Sequence, residues 1–108
     1  MERLPCPYLN GEVELTEERR QHILAKYPDF LPEYFEQLAE TLSNPDEVRS
    51  DRRFPQTRLF VRWFDSLKDG KYVVVAIVSD STPRKRHWIV TAYIARKVSQ
   101  GESEWHRN

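Results

Sequence analysis

The chain has 108 residues, 17 Lys and Arg against 17 Asp and Glu, three histidines and a single cysteine. That length suits one domain around one core, and no apolar run nears the roughly 20 residues that span a bilayer. Together with a start that lacks the apolar stretch of a secretory signal, this points to the cytosol, while the lone Cys6 and the scattered histidines leave no disulfide and no zinc-ligand spacing. No metal and no cofactor are expected. The zero net charge hides an asymmetry: residues 1–48 sum to −7, residues 49–98 to +8 and residues 99–108 to −1. A basic half of that kind attracts phosphate locally, because screening confines its field to about 8 to 10 Å at physiological salt.

Asn10-Gly11 before the alternating Glu12-Val13-Glu14-Leu15 predicts a hairpin or lead-in strand. Thr16 then caps a helix that carries Glu17 and Glu18 in its first turn and runs to about Lys26, with Arg19, His22 and Lys26 on a common side. Pro28 closes that helix. Pro32 opens a second near Leu31, in which Leu31, Phe35, Leu38, Ala39 and Leu42 form the apolar stripe, and Ser43-Asn44-Pro45-Asp46 stops it.

From there the period changes to two. Glu47–Ser50 predicts a short edge strand, Thr57–Phe64 a firm one, Tyr72–Val78 a strand buried on both faces and Trp88–Val98 the last. Arg58, Phe60, Arg62 and Phe64 share one face of the second of these, and His87, Thr91 and Tyr93 share a face of the last. Residues 99–108 read as a loose tail, so the domain spans residues 1–98. The fold class is α+β, with two N-terminal helices packed on a curved antiparallel sheet of about four strands and with Phe35, Leu38, Leu42, Val74, Ala76, Val90 and Ala92 in one core.

Gly-rich phosphate loops, nucleophile elbows and paired-cysteine motifs are absent. What remains is a scatter of His, Arg, Thr and Tyr. His22 lies among cations that favour its neutral, basic form. Arg58 and Arg62 interleave with Phe60 and Phe64 as a surface for phosphates and bases needs, and each has a plain alternative, rings on a core and stems snorkelling to water. Arg52, Arg53, Arg84, Lys85 and Arg86 lie in turns, where solvated charge is common.

Arg20-Gln21-His22-Ile23-Leu24, Tyr27-Pro28, Asn44-Pro45-Asp46-Glu47-Val48 and Thr91-Ala92-Tyr93, in that order, resemble the superfamily of Barnase, EndoU, colicin and RelE-like nucleases, particularly its small phage- and mobile-element-associated members. The likeness covers about residues 12–98. It implies two helices on a curved four-stranded antiparallel sheet, metal-independent RNA cleavage and a toxin or phage-conflict role, with an antidote or other partner protein. By position, His22 matches the helix histidine, Thr91 the hydroxyl of the last strand, and Arg58 or Arg62 the basic residue of the sheet.

The 2′-hydroxyl of RNA attacks its own phosphate once deprotonated, so such an endoribonuclease needs a base, a cation and a positioning hydroxyl. The expected assignments are His22 as base, Arg62 as cation, and Thr91 or Tyr93 as hydroxyl, with Arg58, Arg53, Phe60 and His87 binding substrate. The rival is a non-catalytic RNA-binding or protein-interaction module on the same surface. Convergence of His22, an arginine and Thr91 on one phosphate-sized site favours the enzyme; placement on opposite faces favours the module.

Overall fold

Asn10 takes the left-handed conformation (φ 57°) after a single 3-10 turn at Pro7–Leu9, and that corner folds β1 (Glu2–Cys6) back on β2 (Gly11–Leu15). The computed structural model describes residues 1–28, 30–51 and 53–107, so Arg52 of the basic turn lies outside the described residues. After the hairpin come α1 (Glu17–Lys26) and α2 (Phe35–Ser43), then β3 (Glu47–Asp51), β4 (Phe54–Phe64), β5 (Lys71–Asp80), β6 (Arg86–Ala95) and β7 (Glu102–His106). The Thr16 hydroxyl accepts from the Arg19 amide at 3.2 Å and so caps α1 as its sequence dictates. None of the described helices is long and apolar enough to cross a membrane.

Helices first, then about four antiparallel strands, is not what this chain forms. One seven-stranded sheet has the order β1-β2-β6-β5-β4-β3-β7, and it is mixed, because β2 runs parallel to β6 through the Glu14–Trp88 bridge. The architecture implied by the RelE- and Barnase-like resemblance is therefore not borne out. The alternation of β2 finds its partner in β1, whose Pro5 masks the strand in sequence and is tolerated because β1 lies at the sheet edge.

The expected loose tail is corrected too, since β7 pairs antiparallel with β3 and forms the opposite edge. To reach it, residues 96–101 must cross β5, β4 and β3. Val98 packs on the sheet along the way, and Arg49 holds the end of the crossing through Nε to the Gln100 carbonyl at 2.7 Å and Nη2 to the Gly101 carbonyl at 2.8 Å. Gly101 has φ 74°, and a Cβ there would sit 2.5 Å from the Ser50 carbonyl oxygen, so only glycine lets the chain pass this closely.

Helix α2 starts four residues later than expected, at Phe35, because the backbone of Tyr34 and Phe35 bonds to Phe30 and Pro32 in separate turns. Its apolar stripe still faces the sheet. Leu38 and Leu42, with Ile23 of α1, bury themselves against Val13, Val48, Phe60, Val75, Ile89 and Ala92. Behind the sheet a second cluster of Leu59, Val61, Val74 and Ala76 takes in Val90, Tyr93 and Val98, so the single core expected from sequence is two clusters divided by the sheet. Phe35 itself is half-buried.

Candidate functional site

Strand pairing fixes which side chains share a face, because residues directly opposite in an antiparallel ladder point the same way. Arg58, Phe60 and Arg62 of β4 stand opposite Ile77, Val75 and Val73 of β5, and Ala92 and Ile94 of β6 continue that row on the helix side. Thr91 and Tyr93 stand opposite Ala76 and Val74, hence on the reverse side. The expected arginines and hydroxyls are on opposite faces.

A bulge explains why His87 also parts from Thr91. The register slips between Ala76 and Ile77, so that Ile77 faces Ile89 where strict alternation would give Val90. Val90 is the extra residue, and the slip sends His87 to the helix side while Thr91 stays behind. The Thr91 hydroxyl is buried there with no hydrogen-bond partner.

Most of the expected sheet residues serve the fold. Arg62 donates to the Asn44 carbonyl at 2.6 Å, pairs with Glu40 at 3.3 Å and lies over the Phe64 ring, which ties β4 to the turn after α2. Arg53 pairs with Asp51 at 3.2 Å within its own loop. Phe60 is fully buried, with the Tyr8 ring edge-on at 5.7 Å, so it offers no surface for a base to stack on. Arg58 donates to Glu104 of β7 at 2.9 Å, and the Tyr8 hydroxyl donates to the same carboxylate oxygen at 2.6 Å. Burial first, then Glu104, pushes the Tyr8 phenol up to about 12. The buried Cys6 thiol is pushed up to about 11, which leaves it unreactive.

His87 stands opposite Ser79 on β5, and its Nδ1 lies 2.6 Å from the Ser79 hydroxyl. Burial lowers its pKa below the ordinary 6.5, with help from the Lys85 and Arg58 charges. A histidine held neutral in the fold binds a proton more weakly than in the unfolded chain, so its contribution is present above pH 6.5 and is lost as pH falls below that value. Unfolding monitored between pH 7 and 5 should show declining stability, and His87→Gln should flatten that decline. An unchanged pH profile in the variant would remove the assignment.

His22 sits exposed on α1, between two points where that helix meets β6. Arg19 shares a cleft with Trp88, and Tyr27 stacks on Tyr93 at 5.8 Å and 30°. Because β2 bridges β6 only at Trp88, the rest of the outer edge of β6 is free of strand pairing among the described residues, and α1 lies along it. Past the end of α1 a cavity of about 350 Å³ opens between Lys26, Tyr27, Phe30, Lys71, Ile94 and Arg96, with Lys68 at its rim. None of its described lining residues is acidic. Lys26 Nζ lies 5.7 Å from the Tyr27 ring centre, and Lys71 is held by the Lys68 and Gly70 carbonyls at 2.7 and 3.1 Å.

Sequence reasoning passes over this cavity because its parts close separate elements: the end of α1, the turn before β5 and the end of β6. Only the sheet order brings those three ends together.

No family model, curated protein or solved structure matches the chain.

Proposed function

We propose that this domain binds single-stranded RNA without cutting it, in the cavity bounded by Lys26, Tyr27, Lys71 and Arg96. The observation that carries the reading is four cations around an aromatic and aliphatic floor with no acidic residue among the described lining residues. Phosphates pair with such cations, and a base stacks on a ring such as Tyr27, already braced by Tyr93. The arginines favoured by the sequence are engaged elsewhere, Arg62 and Arg53 in ties within the fold and Arg58 with Glu104.

The test is the fluorescence anisotropy of an end-labelled single-stranded RNA. Lys71→Ala combined with Arg96→Ala should weaken binding by about 100-fold or more, since two charge-assisted contacts at roughly 1.5 to 3 kcal/mol each sum to about 3 to 6 kcal/mol. Arg53→Ala should leave binding within twofold. Equal losses in the two variants would show that RNA reads overall charge and not this cavity.

The second reading is cleavage, and the placement of Arg58 and Arg62 on one face of the sheet with Thr91 on the other weighs against it. RNA recovered intact after long incubation supports binding alone. Cleavage in the presence of a chelator, slowed about 10²- to 10⁴-fold by His22→Ala, would replace the first reading with the second.

A further inference from the structure

The opposite end of β6 carries a second group of donors. Ser79 and His87 face each other across β5 and β6, and Arg58 of β4 stands diagonally next to them on the same face. An open cleft of about 250 Å³ is lined by Arg58, Ser79, Ser81, Lys85, Gln56 and Asp80. Arg58 spends its Nε on Glu104, which leaves the rest of its guanidinium fork for another acceptor. Lys85 is exposed and forms no ion pair among those described, and the Asp80 carboxylate is turned to its own loop, where it accepts from the Thr82 amide at 3.1 Å.

We propose that this corner binds a phosphate group, held by the Arg58 guanidinium, the Lys85 ammonium and the Ser79 hydroxyl, with His87 behind Ser79 as the residue that senses it. The site is distinct from the RNA cavity. His87 beside this corner and Ala95 beside the RNA cavity are eight residues apart along β6, about 26 Å at the usual rise of a strand. It therefore stands or falls without the RNA-binding reading.

The chemistry of the corner is two cations, Arg58 and Lys85, beside one hydroxyl, with Asp80 in the lining and Glu104 held on the far side of Arg58 by its Nε. These groups lie beside the His87 imidazole, which burial first, and then the Lys85 and Arg58 charges, holds toward its neutral form. A bound phosphate anion shifts that balance. It offsets Lys85 and Arg58, so His87 takes up a proton more readily, and by linkage the anion binds more tightly as the pH falls toward the histidine range. His87 is faced by Lys85 from its own hairpin, Arg58 from β4, and Ser79 and Asp80 from β5. On its other side a cavity of about 400 Å³ brings Arg3, Glu12 and Glu14 from β1 and β2 and Arg84 from the turn before β6, and Arg86 clamps Glu14 through both carboxylate oxygens at 2.9 to 3.1 Å.

The experiment follows the ring resonances of His22, His87 and His106 by NMR as pH is varied, in the full chain, with inorganic phosphate or with chloride at equal ionic strength. His22 and His106 are exposed and act as internal references. Phosphate should raise the His87 midpoint by about one pH unit relative to chloride, a tenfold change in proton affinity, and leave the other two unmoved. Lys85→Gln, at an exposed turn position that tolerates substitution, should weaken phosphate binding about tenfold and shrink the shift. A mononucleotide and a short single-stranded RNA tested alongside separate the sources of the group: the same response to all three identifies a free phosphate site, and a response to RNA alone identifies a chain phosphate. A His87 midpoint that ignores all three, or one that Lys85→Gln leaves unchanged, overturns the proposal.

Discussion

Phe60→Ala should lower the free energy of unfolding by about 3 to 5 kcal/mol, the usual cost of emptying a fully buried phenylalanine site. The side chain is fully buried at the middle of the sheet, between Val48 on β3 and Val75 on β5, with Tyr8 edge-on above it. Three strands and the turn after β1 meet on this one ring, so little can collapse to fill the space. Phe35→Ala should cost clearly less, because that ring is half-buried and lies against the Arg20 guanidinium at 5.7 Å. Chemical denaturation of the two variants side by side decides the matter. If Phe35→Ala proves the more damaging, α2 and not β4 is the centre of the core, which overturns the central role of Phe60.

That comparison shows where the sequence is readable and where it is not. The alternation from Thr57 to Phe64 places Phe60 and Arg62 on one face correctly, and the apolar run from Val73 to Ile77 is buried on both sides, since local periodicity reports what a strand buries. Thr16 capping α1 is equally local. Pairing between distant segments is another matter. Nothing near Glu102 announces that β7 will lie on β3, because its affinity for that edge comes from Arg49 reaching the Gln100 and Gly101 carbonyls, about half a chain away, and from the Tyr8 ring meeting Trp105 at 5.8 Å, almost a whole chain away.

The candidate site fails to be legible for a related reason. Alternation counted straight from His87 puts it with Thr91 and Tyr93, and one extra residue at Val90 reverses the count. A single bulge is enough to disperse a constellation that looks contiguous in sequence. The same strand then supplies members of two proposed sites, Ile94 and Ala95 at one end and His87, through Ser79, at the other, each completed by residues from elements that the sequence does not connect to it. The charge asymmetry is a sound guide to where cations lie but not to which are free: Arg49, Arg53, Arg58 and Arg62 all have carboxylate partners, whereas among the described residues Lys26, Lys68, Lys71 and Arg96 near one end of β6 and Lys85 near the other form no ion pair.

RNA binding by the cavity at the end of α1 should be strongly salt-dependent. Each phosphate neutralised on a single strand contributes a slope of about −0.7 to the plot of log affinity against log salt, so three or four contacts from Lys26, Lys68, Lys71 and Arg96 predict about −2 to −3. Raising salt from about 50 to about 200 mM should then weaken binding by roughly 20- to 50-fold. Removing Lys71 and Arg96 together should make the slope shallower by about 1.4, since two contacts are lost. Tyr27→Ala tests the other half of the cavity, because a stacked base adds affinity without releasing counterions: it should lower affinity by about 1 to 3 kcal/mol while leaving the slope unchanged. Isothermal or anisotropy titrations at four salt concentrations separate the two effects. A Tyr27→Ala variant whose loss disappears at high salt would mean that the ring acts only by seating Lys26, whose ammonium lies above it, and the base-stacking role would be withdrawn.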